Sequence, residues 1–503
     1  MKMIHTKLLY QGAIVFIICL FFVGCILFWK GSVQQEMEIN LSFNTELEKG
    51  YFNNGLGITN IGDPFVLKIS DDCYYLYCTS APNGFYCWTS KDMVNWTDKK
   101  MCYTRTPNAW CTDCFWAPEV VAYESKYYMY YTAKNQNGSL RIGLAISDTP
   151  DGPFLDVKNE PFFDFGYAAI DANVLIDDDG SKYLYYARDC SENIDNGIRK
   201  SEIYGVKLSH DLLSTEGEAI KLLTPEQKWE VASGDTRWNE GPEIIKHNKT
   251  YYLTYSANYF ASPAYSVGYA TSNTPLGPFT KAEENPILTS GLRKDVSGTG
   301  HHSFTTSPDS KELWTFYHSH TDLLHPGGNR KVNMDRAGFT EDGKLYINGP
   351  LTSTQPTPSG TDFINLTDHF LIDMNLENAH LLIDGFFSVY KKHLDKDLIL
   401  PTQNEEPLSI HLKSNNKNRL TGICIYPGQN GLDKIASLQL RLGHNTLSEI
   451  YSLENEAVSP IILSFDPVTA DSIELIITPA PNADSVILSE IMLLGENNTS
   501  NLK

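Results

Sequence analysis

Between Ile58 and Pro350 the hydrophobic and polar positions repeat as one phrase. A polar or acidic opening leads into a strand with period-2 alternation, then a turn, then an aromatic strand ending in small residues. The copies begin at Asp63-Pro-Phe-Val-Leu, Ala117-Pro-Glu-Val-Val, Asp171-Ala-Asn-Val-Leu, Gly241-Pro-Glu-Ile-Ile and His301-His-Ser-Phe. Their aromatic partners are Tyr74-Tyr-Leu-Tyr-Cys-Thr, Tyr127-Tyr-Met-Tyr-Tyr-Thr, Tyr183-Leu-Tyr-Tyr-Ala, Tyr251-Tyr-Leu-Thr-Tyr-Ser and Leu313-Trp-Thr-Phe-Tyr-His. β-branched and aromatic runs punctuated by Asp-Gly, Asn-Gly and Ser-Asp turns predict strands throughout, and no helix-period segment of useful length interrupts them. A spacing of roughly 50 to 70 residues is the range of a propeller blade or solenoid turn. Ala145-Ile-Ser-Asp-Thr-Pro-Asp-Gly-Pro-Phe154 is echoed by Ala270-Thr-Ser-Asn-Thr-Pro-Leu-Gly-Pro-Phe279 at the same place in a later copy. The predicted fold class is all-β: five four-stranded blades around an axis over 58–350.

Outside the repeats the pattern changes. Gly12 to Trp29 is an unbroken apolar run, preceded by Lys2 and Lys7 and followed by Glu36 and Glu38. Its length suits a bilayer crossing, and the leading positive charges favour an inside N-terminus. Residues 1–30 are therefore expected to form an apolar helix that anchors an extracytoplasmic protein to the membrane. A cleaved signal peptide, or lipidation at Cys25 within Phe22-Val-Gly-Cys25, are the alternatives. Residues 31–57 read as a polar stalk, and the Pro/Ser/Thr-rich stretch 351–360 as a linker. From 361 to 495 short strands recur without the blade phrase, as in Leu408–Leu412, Gly422–Tyr426 and Ile473–Ile477, which predicts a separate β-sandwich. Residues 496–503 read as a tail.

Composition narrows the partners. The chain has 503 residues, 42% of them hydrophobic, and a net charge of −21, with no Lys/Arg cluster of the kind a nucleic-acid interface needs. Ten cysteines are present, six of them between Cys73 and Cys114. Cys111-Thr-Asp-Cys114 has zinc-like spacing but no second such pair, so buried thiols or a local disulfide are the simpler readings.

In a propeller the first strand of each blade lines the central channel, so the openings of the repeats converge there. Three bring a carboxylate: Asp63, Asp171 and, in Trp238-Asn-Glu240-Gly-Pro242, Glu240. Each alone is compatible with turn chemistry. Together they suit glycoside hydrolysis, which needs two carboxyl groups in different protonation states across the scissile bond. A third carboxylate nearby raises the acid's pKa by like-charge repulsion.

At these residues the chain resembles glycoside hydrolase family 43, five-bladed propeller enzymes acting on arabinose- and xylose-containing glycans. The resemblance rests on Gly62-Asp63-Pro64, Phe115-Trp-Ala-Pro-Glu119, Ile170-Asp171 with Asp178-Asp-Gly180, Asn239-Glu240-Gly-Pro242 and Gly298-Thr-Gly-His301-His-Ser303. It implies an inverting arabinofuranosidase or xylosidase with Asp63 as general base, Glu240 as general acid and Asp171 as pKa modulator. Ala172 stands where many members carry Pro. The resemblance further implies substrate contacts by Trp116, His301 and Arg330, and no cofactor for catalysis, with a central ion such as calcium as an optional structural element. A metal site at His318, His320 and His325 is the weaker reading of those histidines, and no metal ligands are assigned. The C-terminal part is similar to discoidin or coagulation-factor type C domains, a galactose-binding-like jelly roll, through Leu382-Ile-Asp-Gly385, Leu420–Pro427 and Leu488–Gly495. Phe386, Phe387 and Tyr390 are candidate sugar-stacking residues there. The expected partner is a plant glycan or its fragments. An endo-arabinanase and a non-catalytic carbohydrate-binding propeller are the alternatives.

Overall fold

The computed structural model describes residues 39–44, 49–389, 392–402, 406–453 and 459–497. The regular structure is strand throughout, apart from short 3-10 turns. Five antiparallel sheets follow one another along the chain. Blade 1 is built from Gly62–Ser70, Cys73–Ala81, Gly84–Ser90 and Lys100–Thr104. The first two strands of blades 2 to 5 are Cys111–Tyr123 and Lys126–Asn135, Ala169–Ile176 and Lys182–Arg188, Asn239–His247 and Thr250–Ala257, and Gly300–Thr306 and Leu313–His320.

The aromatic strands are apolar on both faces because each blade has a neighbour on both sides. Side chains alternate across a strand, and here each face meets a different blade. In blade 1 Tyr74, Leu76 and Cys78 pack against Trp314 and Phe316 of blade 5, while Tyr77 packs against Met129 and Tyr131 of blade 2. In blade 2 Tyr128 and Tyr130 turn the other way, onto Leu184 and Tyr186 of blade 3. Five such clusters, one at each blade junction, form the propeller's core.

Side chains on the first strands tie four of the five blade junctions, all but that of blade 1 with blade 2, where Phe65 stands at the equivalent position. Glu119 accepts from the Val174 N–H (3.1 Å), Asn173 from the Ile244 N–H (3.2 Å), and Glu243 from the Phe304 N–H (2.9 Å). Ser303 accepts from the Val66 N–H (3.2 Å), closing the circle from blade 5 to blade 1.

The C-terminal region is a ten-stranded β body dominated by the long strands Leu408–Pro427 and Ile461–Pro479, with its own Leu/Ile core. Two expectations are corrected at its edges. Ile39–Leu41, expected within a polar stalk, forms a strand parallel to Thr446–Ser448. The reason is local: Ile39-Asn-Leu-Ser-Phe43 alternates with period 2, and Leu41 is buried in that core. Within 351–360, residues 355–359 are buried, so the stretch is not a free linker. Arg336 donates to the Pro356 and Thr357 carbonyls (both 3.1 Å), and Tyr426 donates to Gln355 Oε1 (2.9 Å). Tyr346 stacks on Phe386 with ring centroids 4.1 Å apart, so Phe386 is a contact between the two bodies. Phe387 stacks in the same way on Tyr426 and is buried.

The expected N-terminal helix and the C-terminal tail from 498 onward lie outside the described residues, as does Tyr390. Among the described residues no helix is long and apolar enough to cross a membrane. The eight described cysteines are free thiols, Cys111 and Cys114 among them.

Candidate active site

One residue per blade takes a left-handed backbone at the axis: Asp63 (φ 52°), Ala117 (43°), Asp171 (56°), Gly241 (53°) and His301 (46°). Non-glycine residues rarely adopt this conformation, and where they do it is held by surrounding structure, commonly at functional sites. Each sits at a register shift in the first strand of its blade. The residue before it faces the end of the aromatic strand: Gly62 opposite Thr79, Trp116 opposite Thr132, Ile170 opposite Ala187, Glu240 opposite Ser256, Gly300 opposite His318.

The three carboxylates therefore do not share one repeat position. Asp63 and Asp171 occupy equivalent positions, whereas Glu240 stands one residue earlier, at the position that is Trp116 in blade 2. Asp63, Asp171 and His301 line the small axial cavity, while Glu240 faces the wider cleft above it.

The small or polar residues ending the aromatic strands hold this ring. The N–H of Ala117 donates to Thr79 Oγ1 (2.7 Å), that of Asp171 to Thr132 Oγ1 (3.0 Å), that of His301 to Ser256 Oγ (2.8 Å) and that of Asp63 to His318 Nδ1 (3.2 Å). In blade 3 the corresponding residue is Ala187, which offers no side-chain acceptor. The Gly241 N–H donates to Asp171 Oδ2 instead (3.0 Å), so Asp171 is tethered one residue from Glu240.

Asp63 is 8% exposed. Arg330 Nη1 donates to its Oδ1 at 2.6 Å, and the imidazoles of His318 (3.3 Å) and His301 (3.4 Å) lie beside the same oxygen. Burial opposes the charge of Asp63. The Arg330 guanidinium, with His301 acting in the same direction, outweighs it and holds the carboxyl well below its ordinary value. His318 is pushed down to about 3 by burial and by Arg330, which keeps its imidazole neutral and able to accept from the Asp63 N–H. The guanidinium reaches Asp63 by lying across Gly62, where a Cβ would fall 2.1 Å from Arg330 Cζ. Arg330 also rests on the Phe260 ring, 4.8 Å from its centroid. Arg330 therefore spends its charge on Asp63, a role the sequence reading did not assign it.

Glu240 is equally buried, at 8% exposure, but among the described residues no cation acts on it. Its Oε1 accepts from the Tyr265 hydroxyl (2.9 Å). Burial raises its pKa well above the ordinary carboxylate value, and the negative charges of Asp171, Asp189 and Asp63 add to the rise. Asp171 is raised to about 6, first by burial and then by Asp63, with His301 pulling the other way. The surroundings thus favour the ionised form at Asp63 and the protonated form at Glu240, with Asp171 between them.

Asp63, Asp171, Glu240, Trp116, His301 and Arg330 all line one cleft of about 330 Å³. Trp116 is 36% exposed there, available for stacking and not a core residue. The sequence reading missed Tyr265, Asp189, Ser191 and the aromatic pair Trp238–Tyr259 (centroids 5.4 Å apart) on the same cleft. Trp238 was legible, because period 2 puts it on the face of Glu240; Tyr265 was not, because it stands outside the recurring phrase.

His320 is engaged by Ser297 Oγ (3.0 Å) and the Phe260 carbonyl (2.9 Å), and His325 by Asp322, so these residues do not converge with His318. The axial cavity, where a central ion such as calcium was expected as an option, is lined by Asp63, Glu119, Asp171 and His301. Glu119 on the axial cavity already accepts from Asn173 and Val174, and burial pushes it up to about 8. Among the described residues no three His, Cys, Asp or Glu side chains are grouped to hold a metal ion.

A propeller whose central cleft holds two buried carboxyls driven in opposite directions suits glycoside hydrolysis. The glycosyl hydrolases family 43 model matches residues 52–345, and the chain belongs to that family. It is a glycoside hydrolase acting on O-glycosyl bonds. Among similar proteins, a β-D-galactofuranosidase of Aspergillus niger is 29% identical over 54% of this chain and 78% of its own length. A xylosidase/arabinosidase of Bacteroides ovatus is 31% identical over 47% of this chain and 74% of its own length. A thermostable family-43 glycoside hydrolase of known structure is 50% identical, with a TM-score of 0.58, over 60% of this chain and 97% of its own.

Proposed function

We propose that the protein is an inverting glycosidase that releases arabinofuranosyl or xylosyl units from plant polysaccharides or their oligosaccharides. One observation carries the assignment of roles: two equally buried carboxyl groups on one cleft are driven in opposite directions, Asp63 by Arg330 and Glu240 by burial and the presence of Asp171. Asp63 is the general base. With Oδ1 engaged by Arg330, Oδ2 takes the proton from the attacking water. Glu240 is the general acid and protonates the glycosidic oxygen as the bond to the anomeric carbon breaks. Asp171, fixed through the Gly241 N–H, holds the acid's pKa up. His301 borders the reacting sugar, and Trp116 supplies an aromatic face for it. The pentoside preference is supported by the xylosidase/arabinosidase relatives.

Hydrolysis of a panel of aryl arabinofuranosides and xylosides, linear arabinan and arabinoxylan, with proton NMR of the first-formed sugar, tests this reading. It predicts release of a pentose with inverted anomeric configuration. Retention, or no turnover across the panel, contradicts it.

The catalytic unit is taken as 58–350 and the C-terminal body, 361–495, as a discoidin-like sandwich that binds carbohydrate. Retardation of an inactive full-length Asp63→Asn protein in arabinoxylan gels, persisting when free pentose fills the cleft, tests the binding role. The apolar run 12–29 is the basis for an extracytoplasmic, membrane-anchored location; recovery of the full chain in the soluble fraction of its cells contradicts the anchor.

A further inference from the structure

Glu240 can deliver its proton from either oxygen, and only one faces the substrate productively. Tyr265 is fully buried, and its hydroxyl donates to Glu240 Oε1 at 2.9 Å. The ring has little freedom. It lies nearly parallel to His318, with centroids 5.4 Å apart and planes 8° from each other. On another side it abuts Gly300, where a Cβ would stand 2.4 Å from Tyr265 Cδ1. His318 is in turn fixed by the Asp63 N–H. Tyr265 therefore bridges the two sides of the cleft, ring against the support of Asp63 and hydroxyl on Glu240.

We propose that Tyr265 is a positioning residue that fixes which oxygen of Glu240 carries the proton given to the leaving group. A protonated carboxyl has one carbonyl oxygen and one hydroxyl oxygen, and the carbonyl oxygen is the better acceptor. The Tyr265 hydroxyl occupies Oε1 as a donor, so the acid proton resides on Oε2. In the reaction the Oε2 proton passes to the glycosidic oxygen, which keeps the electron pair of the broken bond to the anomeric carbon. Water forms the new bond to that carbon and gives its proton to Asp63. Glu240 is left as a carboxylate, whose charge the Tyr265 hydrogen bond stabilises. Burial keeps the phenol itself well above its ordinary pKa, so it remains a donor throughout.

This inference rests on Glu240 being the general acid, and the experiment separates the two. Wild type, Tyr265→Phe and Glu240→Ala are compared on a 2,4-dinitrophenyl pentoside, which needs little acid assistance, and on an alkyl pentoside, which needs much. A hydrogen bond to a charged group is worth about 1.5–3 kcal/mol, so Tyr265→Phe should lose about 10- to 100-fold in kcat on the alkyl substrate. The loss on the dinitrophenyl substrate should be far smaller. The alkaline limb of the alkyl-substrate pH profile should move to higher pH, because the carboxylate form loses its donor. Replacing Tyr265 by 3,5-difluorotyrosine, a more acidic donor of nearly the same shape, should move that limb to lower pH. Equal losses on both substrates, or a limb that neither change moves, overturns the inference. If Tyr265→Phe does not fold, the difluorotyrosine protein decides alone by the direction of its limb. If Glu240→Ala itself loses equally on both substrates, the assignment of the acid falls, and the inference with it.

Discussion

The two walls of the cleft differ in one respect that decides the chemistry. Asp63 and Glu240 are buried to the same extent, yet the carboxyl of Asp63 is pulled well below its ordinary pKa and that of Glu240 pushed well above it. Burial alone would push both upward. The Asp63 wall carries Arg330 at 2.6 Å with two imidazoles behind it. The Glu240 wall carries a neutral phenol and two further aspartates, Asp171 and Asp189. Burial sets how much the surroundings matter, and the neighbours set the sign.

Removing either carboxyl should break the comparison outright. Glu240→Gln and Asp63→Asn should each cost at least about 10²–10⁴-fold in turnover on oligosaccharides, the range for general acid–base catalysis, while circular dichroism and melting stay close to wild type. Near-normal turnover in either folded variant removes that residue from its role. Next in size is Arg330→Met, which takes away the cation that opposes burial at Asp63. The Asp63 pKa should rise, so the acid limb of kcat/KM moves to higher pH, and activity at mildly acidic pH should fall by about 10- to 100-fold, as expected for losing a hydrogen bond to a charged group. An unmoved acid limb means Arg330 does not set that pKa. Asp171→Asn acts on the other wall. It deletes a negative charge that raises Glu240, so the alkaline limb should move to lower pH; a limb that stays or rises contradicts the modulator role. The smallest effect belongs to Trp116→Ala, which leaves both protonation states alone. Loss of an aromatic contact worth about 0.5–1.5 kcal/mol should raise KM by up to roughly tenfold with kcat little changed.

Much of this difference was legible in the sequence, because the repeats advertise their own register. Period-2 strands, turn residues and the aromatic runs sufficed for an all-β fold, and the recurring openings located Asp63, Asp171 and Glu240. The copies align Gly241 with Asp63 and Asp171 and leave Glu240 one residue earlier; what the phrase did not show is that Gly241 shares their left-handed backbone at the axis. Partnerships between distant segments were also out of reach. Tyr265 stands just before the strand Ser266–Ser272 and Glu240 in Asn239–His247, two strands apart in one sheet, yet both line the same cleft; Arg330 meets Asp63 because blade 5 closes on blade 1. The stretch 351–360 looked like a linker because Pro, Ser and Thr favour loops. Its residues 355–359 are buried because backbone carbonyls there satisfy Arg336, a partner local composition cannot announce.

The division of labour between the two walls is tested most directly by the pH dependence of Glu240→Gln on a 2,4-dinitrophenyl pentoside, beside wild type on an alkyl pentoside, whose poor leaving group needs the acid. The dinitrophenyl leaving group departs without help, so the variant should remain measurably active through Asp63. Its kcat/KM should keep the acid limb, set by the depressed pKa of Asp63, and lose the alkaline limb set by Glu240, giving a plateau where wild type declines. A variant that retains the alkaline limb, or that loses the acid limb instead, would contradict an ionised Asp63 facing a protonated Glu240.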